Sequence, residues 1–253
     1  VQGEFFRQIH FNVIQKSISQ LNDHIILCGY GKYGKEIADN FLKHSVEFVV
    51  IDIDEGEIEK IQKSKEAILY IEGDATEEEI LEKAGIKKAK ALICALDEDS
   101  SNVFAVITAR QLNNKINIIS RARQERAGKK LRLAGANHII RPEQIGGFYM
   151  ASLVNKPGAV EFFTYITNEA QSDILFEELS YDTLPEACHG LCIRELKIRE
   201  ATGANIIGYK QPDGKYIVNP APSCTLLPNS SFIVLGSKQQ LDQLHTYLDN
   251  YQE

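Results

Sequence analysis

The chain has 253 residues, enough for one large domain or two modest ones. It is 43% hydrophobic and 25% charged, an ordinary globular composition, and its net charge of −7 speaks against nucleic-acid binding, which more often needs a basic face. No apolar run approaches the ~18 residues of a membrane span, and the opening "VQGEFFRQIH" is too polar for a signal peptide.

Residues 1–22 carry apolar residues at helical spacing (Phe5, Ile9, Val13, Ile14, Ile18, Leu21), which predicts a connecting helix. From His24 the rhythm alternates. "HIILCG" is a strand, "KEIADNFLKH" a helix, "EFVVID" a strand, "EGEIEKIQKS" a helix and "AILYIEGD" a strand. "TEEEILEKAGI" is a helix whose Thr76 and Glu79 have capping-box spacing. "AKALICAL", "INIISRA" and "ANHIIRP" are further strands, separated by the helices "SSNVFAVITARQL" and "QERAGKKLRLAG". Strands apolar on both faces, joined by helical crossovers, predict an α/β fold with a doubly wound parallel sheet of Rossmann type. "EQIGGFYMASLVN" is a further helix, weakened or bent at Gly146-Gly147, and Pro157-Gly158 reads as a turn. After about residue 170 the pattern becomes a small α+β lobe. It comprises the strand "ILFEELSY", the helix "CIRELKIREATG", a hairpin turning at Pro-Asp-Gly, the strand "SSFIVLG" and a terminal helix capped by Ser237.

The first strand ends in "GYGKYG", a GxGxxG pattern that opens a helix, and Asp52 ends the second strand about 20 residues on. In such a loop Gly29 permits the tight turn. Gly31 lets the backbone approach a pyrophosphate, and Gly34 lets helix and sheet pack. The helix N-terminus faces the anion, and Asp52 takes a ribose hydroxyl. Asp74 and the backbone after Ala95 also lie at carboxyl ends of strands and would border the base. The weaker alternative for that stretch is that Thr76 simply caps a helix, while Asp97, Glu98 and Asp99 read as solvated carboxylates. Asp52 disfavours a 2′-phosphate cofactor.

No catalytic residue emerges. None of His10, His24, His44, His138, His189 and His245 has the setting of a proton relay. "CHGLC" has metal-like spacing without a second ligand pair, and the acidic runs lack an EF-hand pattern, so no metal site is assigned. Five scattered cysteines, two of them (Cys28 and Cys94) in apolar runs, suit a reducing cytoplasm.

The stretches "LNDHIILCGYGKYGKEIADNF", "VVIDIDE", "YIEGDATEEEILEKAGI", "ALICALDEDSSNVFAVITARQL" and "LRLAGANHIIRPEQIGG" together resemble the RCK (KTN, TrkA-N) domain. The tail from "LCIRELKIREATG" to "LHTYL" is similar to its companion TrkA-C lobe. The resemblance covers roughly residues 20 to 250. It implies four segments: a linker helix (1–22) following a pore domain, a Rossmann N-lobe (23–141), crossover and dimerisation helices (142–172), and a C-lobe (173–253). It implies a homodimer that assembles into a ring, an octamer, beside its own potassium-channel pore on the cytoplasmic side of the membrane. Its ligands would be NAD(H) or ATP, ADP or AMP, with Ca2+ in some members. By position, Gly29, Tyr30, Gly31, Lys32, Tyr33 and Gly34 would form the phosphate loop. Asp52 and Ile53 would take the ribose and flank the base. Asp74 and Ala75 would border adenine, and Ala95, Leu96 and Arg121 would line the remaining side. Glu143 matches a position where some relatives place a cation-binding carboxylate.

Two departures stand out. Lys32 occupies a position where many relatives have Arg, which removes the bidentate fork for a terminal phosphate. Asn229-Ser230 stands where relatives commonly have Gly-Asp, which bears on a local turn. The initial Val, with Met150 the sole Met, reads as the cytosolic part of a longer chain. The leading expectation is therefore a ligand-sensing gating domain of a potassium channel. A free-standing Trk/Ktr-type uptake subunit and an NAD-dependent oxidoreductase are the alternatives.

Overall fold

The computed structural model describes residues 13–167 and 172–251. It divides into two compact units, Val1–Phe148 and Tyr149–Glu253, called here the N-lobe and the C-lobe. The predicted linker helix appears as a helix over residues 13–20 (α1), and the rest of that segment before residue 13 lies outside the described residues.

The N-lobe follows the expected alternation: β1 (Ile25–Cys28), α2 (Lys32–Lys43), β2 (Phe48–Asp52), α3 (Glu55–Lys63), β3 (Leu69–Glu72), α4 (Glu78–Lys83), β4 (Ala91–Cys94), α5 (Asp99–Leu112), β5 (Asn117–Arg121), α6 (Glu125–Ala134) and β6 (His138–Ile140). All six strands are parallel, in the order β3-β2-β1-β4-β5-β6. This is the doubly wound Rossmann order, in which the succession of strands reverses between β1 and β4. The central strands read as unbroken apolar runs because both faces are covered. Ile26, Cys28, Leu92 and Cys94 face the core with α1, α4, α5 and α6. Leu27, Val50 and Ala91 face the core with α2 and α3. Cys28 and Cys94, opposed in register, are fully buried, and the neighbouring Cys94 thiol, then burial, pushes the Cys28 pKa well up.

The expected helix cap in this lobe is not found. Thr76 does not cap α4. The N-cap is Glu77, which makes no side-chain cap bond. Thr76 turns back instead. Its backbone N–H and hydroxyl both donate to Asp74 Oδ1, at 2.9 and 2.8 Å. An Asp two residues ahead competes successfully for the same donors, as Asx turns do.

Helix α7 (Pro142–Asn155) runs unbroken through Gly146-Gly147 and buries none of its residues. In the C-lobe, Pro157 is the first residue of α8 (Pro157–Thr167), so the expected Pro-Gly turn is a helix start. Proline suits that position because its missing N–H has no intrahelical acceptor there. A four-stranded antiparallel sheet follows, in the order β7-β10-β8-β9: β7 (Ile174–Ser180), β8 (Asn205–Lys210), β9 (Tyr216–Val218) and β10 (Ser231–Ser237). The single helix expected after Cys192 is two, α9 (Ile193–Leu196) and α10 (Ile198–Thr202). Lys197, between them at φ 47°, breaks the helical path. The turn at Asn229-Ser230 closes without glycine. Asn229 adopts φ 61°, which Asn tolerates, and Ser230 Oγ bonds both backbone groups of Leu227. Helix α11 (Lys238–Asp249) starts at a Ser237/Gln240 capping box. Among the described residues no helix is long and apolar enough to cross a membrane.

Candidate functional site: the crevice above β1 and β4

The carboxyl ends of parallel strands gather loops along one edge, and the crevice opens where strand order reverses. The loop after β1 sits there. Gly29 has φ 96°, and a Cβ on it would stand 3.0 Å from Ala95 O. A Cβ on Gly34 would stand 2.0 Å from Gly29 O, so the first turn of α2 lies directly on the loop. Two of the three glycines are thus demanded by turn and packing. Gly31 is not. A Cβ there would meet nothing within 4 Å, and its φ is −67°. It is the N-cap of α2, with no side-chain cap and no acidic residue in the first turn. The free N–H groups of α2 therefore face open space above a residue without a side chain, the geometry of an anion cradle. Lys32 is exposed beside it and forms no ion pair among the described residues.

Asp52 ends β2 beside the loop. Its Oδ2 accepts the Tyr30 N–H at 2.5 Å and its Oδ1 accepts the Asp54 N–H at 2.8 Å. The carboxylate therefore holds the glycine loop, and a carboxylate with about four acceptor sites keeps some for a hydroxyl. Ile53 is 69% exposed, an apolar surface at the crevice rim. Asp74 is half-buried and engaged with Thr76, while Ala75 is buried. Ala95 is buried under Gly29, and its N–H donates to Cys28 O at 2.8 Å. Leu96 is half-buried.

On the far side stands Arg121, at the end of β5. Its side chain is only 10% exposed, and it stacks 4.3 Å from the Tyr33 ring centre. One terminal nitrogen donates to Asp97 at 3.1 Å and the other to Glu143 at 2.9 Å. Tyr33 OH donates to the same Glu143 oxygen at 3.2 Å. Arg121 Nε is buried without a hydrogen-bond partner. Burial disfavours the guanidinium charge, but the two carboxylates outweigh it and raise the Arg121 pKa. Glu143 is held below the usual carboxylate range by its own backbone N–H at the helix start, and then by Arg121. Alongside lies a mostly apolar cavity of about 470 Å³ on the α2 face, lined by Tyr33, Ile37, Phe41, Ile119, Ile140 and Arg121.

The structure corrects one reading and adds one residue. Asp97 and Asp99 are not simply solvated: Asp97 pairs with Arg121, and Asp99 accepts the backbone N–H groups of Arg123 and Gln124. Asn102, missed from the sequence, is 1% exposed and exchanges two hydrogen bonds with the Leu96 backbone, at 3.1 and 2.9 Å. A polar residue on the buried stripe of α5 was the available signal. Glu143, the candidate cation ligand, already serves a guanidinium. No group of three His, Cys, Asp or Glu converges among the described residues. His189 of "CHGLC" stacks on Tyr181 at 4.1 Å and bonds its carbonyl.

Comparison with known proteins agrees with this two-lobed fold. Residues 25–142 match the TrkA-N domain and residues 183–249 the TrkA-C domain. The chain is 36% identical to Probable potassium channel protein 2 of Methanocaldococcus jannaschii, over 99% of this chain and 73% of that protein. It is 33% identical to Potassium channel protein 1 of the same organism, over 98% of this chain and 74% of that one. The human SLO3 gating ring shares the fold, with a TM-score of 0.64 at 18% identity, over 91% of this chain and 46% of that chain. With a TrkA-N lobe followed in order by a TrkA-C lobe, and relatives that are potassium channel proteins, the chain belongs to the RCK family of regulatory domains.

Proposed function

We propose that this RCK domain binds a nucleotide, NAD(H) or an adenine nucleotide, in the crevice at Gly29–Gly34 and couples its occupancy to a potassium-conducting pore. The observation that carries the reading is Gly31. Turn geometry and packing account for Gly29 and Gly34, whereas the space over Gly31 serves neither. A phosphate fills it, against the N-terminus of α2. Asp52, Ile53, Asp74, Ala75, Ala95 and Leu96 would surround the nucleoside, and Lys32 and Arg121 would meet its phosphates. The role is sensing rather than catalysis, in keeping with relatives that are channel proteins.

The same proposal takes residues 1–22 as the connection to the pore and 142–172 as the crossover between lobes, on the cytoplasmic side of the membrane. Its partners are the pore and further copies of the chain in a ring. In the N-lobe, Phe104, Ile107 and Leu133 of α5 and α6 are exposed. Helix α7 carries exposed Ile145, Phe148, Met150 and Val154. Apolar surface of this extent marks protein contacts. A ligand that binds one ring geometry better shifts the pore equilibrium by that difference in affinity.

Calorimetric titration with NAD+, NADH, ATP, ADP and AMP tests the reading. Wild type binds at least one of them, and Gly31→Asp binds none. Asp is a favourable N-cap, so the variant's melting temperature stays level or rises while its carboxylate repels phosphate. Absence of heat from all five nucleotides on folded wild type would sink the proposal.

A further inference from the structure

We infer that Glu143 is a built-in competitor for the ligand's phosphate: it occupies Arg121 in the empty crevice and yields the guanidinium when an anion settles over Gly31. The inference rests on the nucleotide reading above and names how that site is regulated. Three observations support it. First, Arg121 is nine-tenths buried yet held by carboxylates that are themselves exposed, Glu143 at 52% and Asp97 at 85%. Carboxylates so wet are held weakly and are readily exchanged for another anion. Second, the guanidinium stacks on Tyr33, the second residue of α2, so it stands one side chain from the free N–H groups of that helix. Its Nε remains buried and unpartnered, a donor left over after both carboxylates are served. Third, Glu143 lies in the first turn of α7, and Tyr33 donates to the same oxygen that Arg121 holds. One carboxylate thus ties the phosphate loop, β5 and the start of α7 together. Drawing Arg121 toward a phosphate loosens that tie, which converts occupancy into freedom of the helix leaving the N-lobe.

The competition has a sign that a structural role lacks. Removing a competitor tightens binding, whereas removing a scaffold weakens it. Titration of ADP in EDTA, on the full chain, reads the difference. Glu143→Gln binds ADP about two- to fivefold tighter than wild type, the range of a half-exposed ion pair. Asp97→Asn shifts the same way by less, because Asp97 is the more exposed. Arg121→Lys keeps the charge but loses the fork, and binds at least about tenfold more weakly. Amide exchange in the first turn of α7 speeds up on adding ADP to wild type and is already fast in Glu143→Gln without it. If wild type binds ADP and Glu143→Gln binds equally or more weakly, the competition is overturned and the nucleotide reading stands. If wild type binds no nucleotide, the reading itself falls and takes the competition with it.

Discussion

The two lobes dispose of their polar side chains in opposite ways. In the C-lobe those at the turns, helix starts and paired strands close on near neighbours. Ser237 and Gln240 cap one helix reciprocally, Ser230 locks the turn from Leu227, Glu195 accepts the Cys192 N–H, and Glu178 takes Ser231 from the adjacent strand. In the N-lobe the polar groups above the sheet reach between loops that follow different strands. Asp52 holds Tyr30, Asp99 holds Arg123 and Gln124, and Arg121 holds Asp97 and Glu143. The cause is topological. Parallel strands deliver all their carboxyl ends to one edge, so loops distant in sequence become neighbours. Antiparallel strands alternate direction, and their turns are consumed in reversing the chain. The parallel lobe can therefore build a site from parts the fold does not need, while the antiparallel lobe uses its polar parts to fold.

That contrast breaks if substitutions in the loops of the two lobes have the same kind of effect. The largest expected change is Gly34→Ala, whose Cβ would meet a backbone oxygen that cannot swing aside. It should cost about 3 kcal/mol or more of stability, as severe overpacking does, against little or none for Gly31→Asp three residues earlier. Equal losses in urea melts would show that Gly31 is structural too. Asn102→Ala comes next. It strands the half-buried Leu96 N–H and C=O, at a cost of about 2 kcal/mol, and, with Leu96 proposed beside the nucleoside, it should also weaken nucleotide binding. In the C-lobe, Ser237→Ala removes a cap worth about 1 kcal/mol and should leave nucleotide affinity unchanged. A shift in affinity from that variant would mean that the lobes are not separable in this sense.

The same contrast governs how much was legible in the sequence. Strand order follows from alternation and crossover handedness, so the Rossmann sheet was readable from "HIILCG" to "ANHIIRP". The glycines and Asp52 were readable because they stand at fixed spacing around one strand–turn–helix unit. The Arg121–Tyr33–Glu143 cluster was not readable from the residues themselves: its members are far apart in sequence and meet only because β5, α2 and α7 end at one edge. Thr76 misled for the opposite reason. Its capping-box spacing was genuine, but Asp74 offered its donors a closer acceptor. Pro157-Gly158 carried two contrary local meanings, turn or helix start, and only the apolar run "AVEFF" that α8 turns inward at Val160 decides between them.

The smallest expected effect sets one carboxylate from each lobe side by side. Glu143 is held down by its own backbone N–H and then by Arg121, and Glu178 by the Ser231 hydroxyl and then by Lys210. Both lie below the ordinary value of 4.5. Each therefore contributes stability that is present above that value and is lost as pH falls through the lower folded-state pKa. Both side chains are about half exposed, so solvent screening keeps each contribution under about 1 kcal/mol. Glu143→Gln and Glu178→Gln should each be slightly less stable than wild type at pH 7, and the deficit should vanish toward pH 3. Nucleotide separates them. If Glu143 yields Arg121 to a phosphate, saturating ADP reduces the pH 7 deficit of Glu143→Gln and leaves that of Glu178→Gln unchanged. Deficits that respond alike to ADP would place the two carboxylates in the same structural class and remove Glu143 from the ligand's path.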